Sequence, residues 1–267
     1  MSESDDKAQF AWEPLTLRGV AAFASATFGR LLLVQLIVAL LTAGTVVWFV
    51  HRAWFPTIGE AIRGLPPTGE IRSGKLDWPG PSAVGLAEGP FLALSVDLDH
   101  AGAVRSPAQV QLEFGREDFK VYSLFGCLRS AYPRSIAVAF NRTELVPWWG
   151  AWAPPILAIV AVVVTAGLIA TWACLATVYC LPVRLIGFFA DRNCSLGGSW
   201  RLAGAALMPG AFLMCAAILM YGFGAFDLVR LGVAGALHLI VGWIYLGVSP
   251  FCLSRHPTTT AKVNPFA

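Results

Sequence analysis

Hydrophobic positions along this chain follow two patterns. In residues 31–50, 151–181, 203–226 and 231–249 they run on without a single Asp, Glu, Lys or Arg, at the length a helix needs to cross the ~30 Å hydrocarbon core of a bilayer. Residues 51–148 read differently. Pro66-Pro67, Trp78-Pro-Gly-Pro-Ser82, Gly85 and Gly89-Pro90 punctuate short runs with strand character: 70–77, 91–98, 108–114, 118–124 and 135–140. Val110, Leu112 and Phe114 alternate with Gln109, Gln111 and Glu113, the period of a strand with one buried and one wet face. Residues 56–64 (PTIGEAIRG) suit a short helix continuing from the first apolar run. The pattern predicts a membrane α-helical fold, a four-helix transmembrane bundle, with a small, mostly antiparallel β-rich domain inserted between helices 1 and 2.

Composition agrees. The 267 residues are 57% hydrophobic and 13% charged, with mean hydropathy +0.65, whereas a soluble domain carries about 25% charged residues. The first apolar run exceeds a signal peptide's ~7–15 residues and follows thirty others, so it reads as an uncleaved anchor. The organisation expected is an N-terminal segment 1–30 with a possible interfacial helix in the mildly amphipathic stretch 15–30, spans at 31–54, 149–181, 203–226 and 231–249, a loop 182–202 and a tail 250–267. Basic residues of short flanking loops stay on the cytoplasmic side. Lys7, Arg18 and Arg30 precede the first span, Arg184, Arg192 and Arg201 fall between the second and third, and Arg255 and Lys262 follow the fourth. Both termini and the 182–202 loop are therefore expected in the cytoplasm and residues 55–148 outside it. Trp148, Trp149 and Trp152 suit the outer aromatic belt, Trp200, Phe188 and Phe189 the inner one.

The candidate chemistry is sparse. FLALSVDLDHAG (91–102) gathers Asp97, Asp99 and His100, a set that could serve a divalent metal or a general base. A metal needs three or more converging ligands, and the other external histidine, His51, is far away in the chain. The competing reading is the end of a strand turning into a hairpin, since Asp and Gly favour turns. No GxSxG, HExxH or phosphate-binding glycine loop occurs, the six cysteines form no metal-binding pattern, no basic run calls for nucleic acid, and no cofactor is implied. Asn141-Arg-Thr143 matches a glycosylation sequon, read as chance in a bacterial chain. The spans hold Gln35, five threonines and His238 but no deep acid or base, which disfavours a coupled transporter. His238 is read as a packing hydrogen bond, with proton or ligand work as its alternative. Gly167, Ala170 and Ala173, and Gly232, Gly235 and Ala236, are small residues where helices could approach closely. Pro209 should kink the third span.

The order of these features, with Phe55-Pro56, Gly74-Lys75-Leu76, FLALSVDLDHAG, EDFKVYSL (117–124) and SWRLAGAALMPGAFL (199–213), resembles a bacterial family of four-helix integral membrane proteins of unknown function. Some of its members are labelled maltodextrin-utilisation proteins, and the family is similar to Yip-type membrane proteins. The resemblance spans roughly residues 15–250 and implies the topology above, an aspartate at the position of Asp97 and no catalytic residue. The expectation is a non-enzymatic protein of the bacterial inner membrane, its external domain binding a periplasmic partner or ligand. Its partners would be the lipid bilayer and a membrane or periplasmic protein, or a second copy of the chain. An accessory subunit of a sugar transporter is one alternative, and a membrane-embedded metal-dependent hydrolase using Asp97, Asp99 and His100 is another. On this topology a membrane-impermeant thiol reagent added to intact cells labels Cys127 and leaves Cys194 unlabelled until the membrane is opened. Equal labelling of both would refute the orientation.

Overall fold

The computed structural model describes residues 12–255, so Lys7 and Lys262 lie outside the described residues. The α-helices are α1 (Leu17–Ala22), α2 (Phe28–Ala53), α3 (Phe55–Gly64), α4 (Arg142–Phe189), α5 (Leu196–Ala206), α6 (Met208–Gly222) and α7 (Leu228–Val248). The strands are β1 (Glu70–Arg72), β2 (Lys75–Asp77), β3 (Ala83–Glu88), β4 (Leu92–Asp97), β5 (Val110–Phe114), β6 (Asp118–Ser123), β7 (Gly126–Ala131) and β8 (Val138–Ala139). They form two compact units: residues up to 46 together with those from 161 on, and residues 47–160.

The first unit is helical. Four segments, Phe28–Gly64, Arg142–Phe189, Leu196–Gly222 and Leu228–Cys252, are long and apolar enough to cross a membrane, and each contains one of the expected spans or most of it. Leu32, Leu36, Leu40, Val163, Leu237 and Ile244 stay exposed along them. In water each such side chain would forgo about 2 kcal/mol of burial; in hydrocarbon it forgoes nothing. The core joins Val20 and Phe23, Leu31, Val34 and Val38, Trp172 and Ala176, Leu202, Met208 and Leu246. Thr16 caps α1 by accepting the Gly19 N–H at 2.9 Å, and α1 buries Gly19, Val20 and Ala21. Pro209 does more than kink its span. The helix stops at Leu207 and restarts as α6 with Pro209 in its first turn, because proline lacks the N–H and its ring crowds the carbonyl four residues back.

Close helix contacts exist, but at other small residues than the sequence suggested. A Cβ on Gly210 would stand 2.6 Å from the His238 carbonyl oxygen, and one on Gly204 would stand 3.1 Å from the Gln35 amide nitrogen. Gly167, Gly232 and Gly235 face open space. Glycine frequency in an apolar run cannot tell a packed face from a lipid-facing one. His238 donates from Nδ1 to the Gly235 carbonyl of its own helix, and Gln35 donates to the Gly204 carbonyl at 3.3 Å.

The second unit is a five-stranded sheet, order β3-β4-β5-β6-β7, and a three-stranded one, order β2-β1-β8. Residues 70–77, expected as one strand, are a hairpin. Ser73 and Gly74 at its tip have φ of 53° and 78°, as a tight two-residue turn requires. Two strands escaped the sequence pattern, β3 and β7, the first glycine-interrupted and the second almost wholly exposed. The larger departure concerns β4. It runs parallel to β5, Leu92 opposite Val110 through Val96 opposite Phe114, and so does not end in a hairpin. A parallel pair needs a crossover, and here residues 98–109 supply it without a helix. Leu92 and Leu94, with Val110, Leu112 and Phe114, pack with Ala61 and Ile58 of α3, while Val96 joins Ile71, Leu76 and Phe140 around the small sheet. Asn141 accepts the Glu144 N–H at 3.0 Å, capping α4, and donates to the Gly69 carbonyl at 3.2 Å. It is buried, so the sequon is structural.

Replacing Gly210 by Ala should force α6 away from α7 and lower the thermal midpoint in detergent by several degrees. Gly232→Ala, in open space, should leave it within about a degree. Equal effects would contradict the packing.

Candidate functional site

The other face of the β4–β5 pair is polar and yet buried. Ser95 and Asp97 of β4 and Gln111 and Glu113 of β5 lie under the 98–109 crossover. The sequence pattern assigned Gln111 and Glu113 to water; a connection of twelve residues covers them instead. A buried polar group without partners costs about 1–3 kcal/mol, and nearly all of these are partnered. Gln111 donates from Nε2 to Ser95 Oγ at 2.9 Å and to the Val104 carbonyl at 2.6 Å, and accepts the Ser106 N–H at 3.2 Å.

Asp97 builds the crossover's first turn. Its carboxylate accepts the N–H groups of Ala101 (3.1 Å), Gly102 (2.8 Å) and Ala103 (3.2 Å), while its carbonyl accepts the His100 N–H at 3.0 Å. His100 and Gly102 take left-handed φ of 53° and 75° to wrap around it. Burial pushes the Asp97 carboxyl up, but the three amides and the His100 charge outweigh it and hold it below the ordinary aspartate value of 3.8. Asp99 points outward and pairs loosely with Arg116 at 3.5 Å.

That turn swings His100 back over the sheet. Nδ1 lies 2.6 Å from Glu113 Oε1 and Nε2 lies 2.6 Å from Asp118 Oδ1. Each ring nitrogen thus faces a carboxyl oxygen at hydrogen-bond distance, and the ring is held between the two side chains. The surroundings are dry: the side chains of His100, Glu113 and Asp118 are 12%, 0% and 4% exposed. Arg129 of β7 also bonds Asp118. Burial pushes the Asp118 carboxyl up, yet the bonds from His100 and Arg129 bring it below 3.8. Arg105 lies over the Tyr122 ring, 3.9 Å from its centroid, and 3.6 Å from Glu113 Oε2, an oxygen that accepts no hydrogen bond. Arg105 and Arg129 thus set two guanidinium groups beside the Glu113 and Asp118 carboxyl groups. The ring also needs Gly115, where a Cβ would fall 2.1 Å from Nε2.

Of the three residues the sequence grouped, Asp97 and His100 belong to one turn by different bonds, and Asp99 stands apart. The partners that matter, Glu113, Asp118, Arg105 and Arg129, were not singled out. Their only signal was a polar alternation that any exposed strand shows. Among the described residues no three His, Cys, Asp or Glu side chains are arranged to hold a metal ion. Both imidazole nitrogens face carboxyl oxygens, which places His100 as a clamp on the crossover. On its far side Asp118 borders an open cleft of about 510 Å³, edged by Lys75 and Arg134 and by Arg129 of β7.

No protein-family model, curated protein or solved structure matches this chain.

Asp97→Ala leaves three amides without their acceptor and should destabilise the β unit by about 2–3 kcal/mol, read from thermal unfolding. Because Asp97 and Asp118 are more acidic folded than unfolded, their stabilisation is complete above pH 3.8 and lost as pH falls below it. Asp97→Asn should flatten that acid limb.

Proposed function

We propose that the protein is a non-enzymatic, multi-pass protein of the bacterial inner membrane. Both termini and the 182–202 loop lie in the cytoplasm, and the β unit outside takes up an extended segment of a partner protein along β7. The uncovered edge of β7 carries this reading. The strand pairs with β6 on one side and ends the sheet on the other, and Gly126 to Arg129 are exposed along it. At the adjoining tip Leu124 and Phe125 stand out, Phe125 at 96% exposure, followed by Leu128 at 67%. Proteins usually blunt such edges with charges, proline or a covering helix; β7 has no lysine or proline, its one charge, Arg129, bonds Asp118, and among the described residues no helix covers it. An added strand would gain main-chain hydrogen bonds from the edge and specificity from neighbouring side chains. The neighbours include Arg134 at the cleft, which favours an acidic residue in the incoming segment, whereas Lys75 there is paired with Glu117 at 3.2 Å. The orientation is supported by Arg18, Arg30, Arg184, Arg192, Arg201 and Arg255, all in short flanks of the spans.

A photo-crosslinking residue at Leu128 in cells should give one discrete adduct, and Ser130→Pro, which disrupts the strand edge, should abolish it. An adduct with the chain itself would identify a second copy as the partner. No adduct at Leu128 or Phe125, with the protein folded and in the membrane, would refute the reading.

A further inference from the structure

The helical unit holds a cavity of about 750 Å³ among α1, the start of α5, and the turn after α7. Arg18 and Arg201 line it, and no aspartate or glutamate does. Arg201 is fixed in place: Nε and Nη2 donate to the carbonyls of Phe23 (3.4 Å) and Ala24 (2.7 Å), which leaves Nη1 and the remaining N–H groups unspent. Arg18 is exposed and has no hydrogen bond or ion pair among the described residues. Asp191 is exposed and stands outside the lining. Among the described residues neither guanidinium has a carboxylate partner, and two such charges on one cavity wall favour an anion there. Ser195 and Ser254 add hydroxyls, and Ala21, Phe251 and Leu253 give the wall an apolar part. The positive end of the α5 dipole, at Ser195, adds to the two charges without replacing them.

We propose that this cavity binds a phosphate-bearing anion, either the headgroup of a phospholipid with net negative charge or a soluble phosphate. Guanidinium forks match phosphate oxygens in pairs, and the mixed wall suits a charged group with an apolar attachment. The site belongs to the helical unit and is independent of the β7 edge.

Cys194 and Cys252 line the same cavity and report on it. The test uses the full chain with Cys127, Cys174, Cys180 and Cys215 replaced by Ala, in phosphatidylcholine nanodiscs, and follows N-ethylmaleimide labelling by mass spectrometry. One arm adds phosphatidylglycerol to the discs; the other adds inorganic phosphate to pure phosphatidylcholine discs. Labelling of Cys194 should slow about tenfold in at least one arm. Slowing only with phosphatidylglycerol identifies a lipid headgroup, and slowing with phosphate identifies a soluble anion. Arg18→Gln, at an exposed and unpartnered position, should raise the half-saturating concentration about tenfold, the expected cost of one charged hydrogen bond. Equal rates in all arms, or a slowing that persists unchanged in Arg18→Gln, would overturn the proposal.

Discussion

The parallel pairing of β4 with β5 is the constraint on which the β unit depends. Two parallel neighbours cannot be joined by a turn, so the chain must travel the length of the strand before it re-enters the sheet. With only residues 98–109 available there is no room for a packing helix. The connection lies flat on the sheet and brings its backbone polar groups with it. A greasy face beneath it would leave those groups without partners. A face built from Ser95, Asp97, Gln111 and Glu113 satisfies them, and His100 and Arg105 then close over the Glu113 carboxyl group. The polar layer is thus a consequence of topology, and β4 is buried throughout because it has α3 or the small sheet on one side and the crossover on the other.

The helical unit follows a simpler rule. In hydrocarbon, for which its four segments are long and apolar enough, side chains have no water to escape, so contact geometry rather than burial decides the packing. Gly210 lets α6 meet the backbone of α7, Gly204 admits Gln35, and the break at Leu207 redirects the third apolar segment. Many other leucine, valine and isoleucine side chains of the long helices, among them Leu36, Leu40, Val163 and Ile244, stay exposed.

What could be read from the sequence reflects how local each signal is. Uninterrupted apolar runs are local, and the four long apolar segments contain residues 31–50, 151–181 and 231–249 and most of 203–226, the third broken at Leu207 and ending at Gly222. The strand at 108–114 and the helix at 56–64 were legible from period alone. The fate of Asp97 and His100 was not. A strand ending in Asp-Leu-Asp-His-Ala-Gly reads as a hairpin when the next strand is assumed to be its antiparallel neighbour. Only the parallel register brings Glu113 and Asp118 to the imidazole, from thirteen and eighteen residues away. Gly204 and Gly210 carry no sequence mark that separates them from Gly167 or Gly232, and β7 hid because an exposed strand has no apolar alternation to display.

The crossover has no secondary structure, yet one carboxylate anchors three successive amides of it, a side-chain amide grips two of its backbone groups, and an ion pair closes over its start. Irregular backbone of this kind is commonly treated as the yielding part of a domain. Here deuterium should enter Ala101, Gly102 and Ala103 as slowly as it enters the strands, because each can exchange only when the sheet itself lets go.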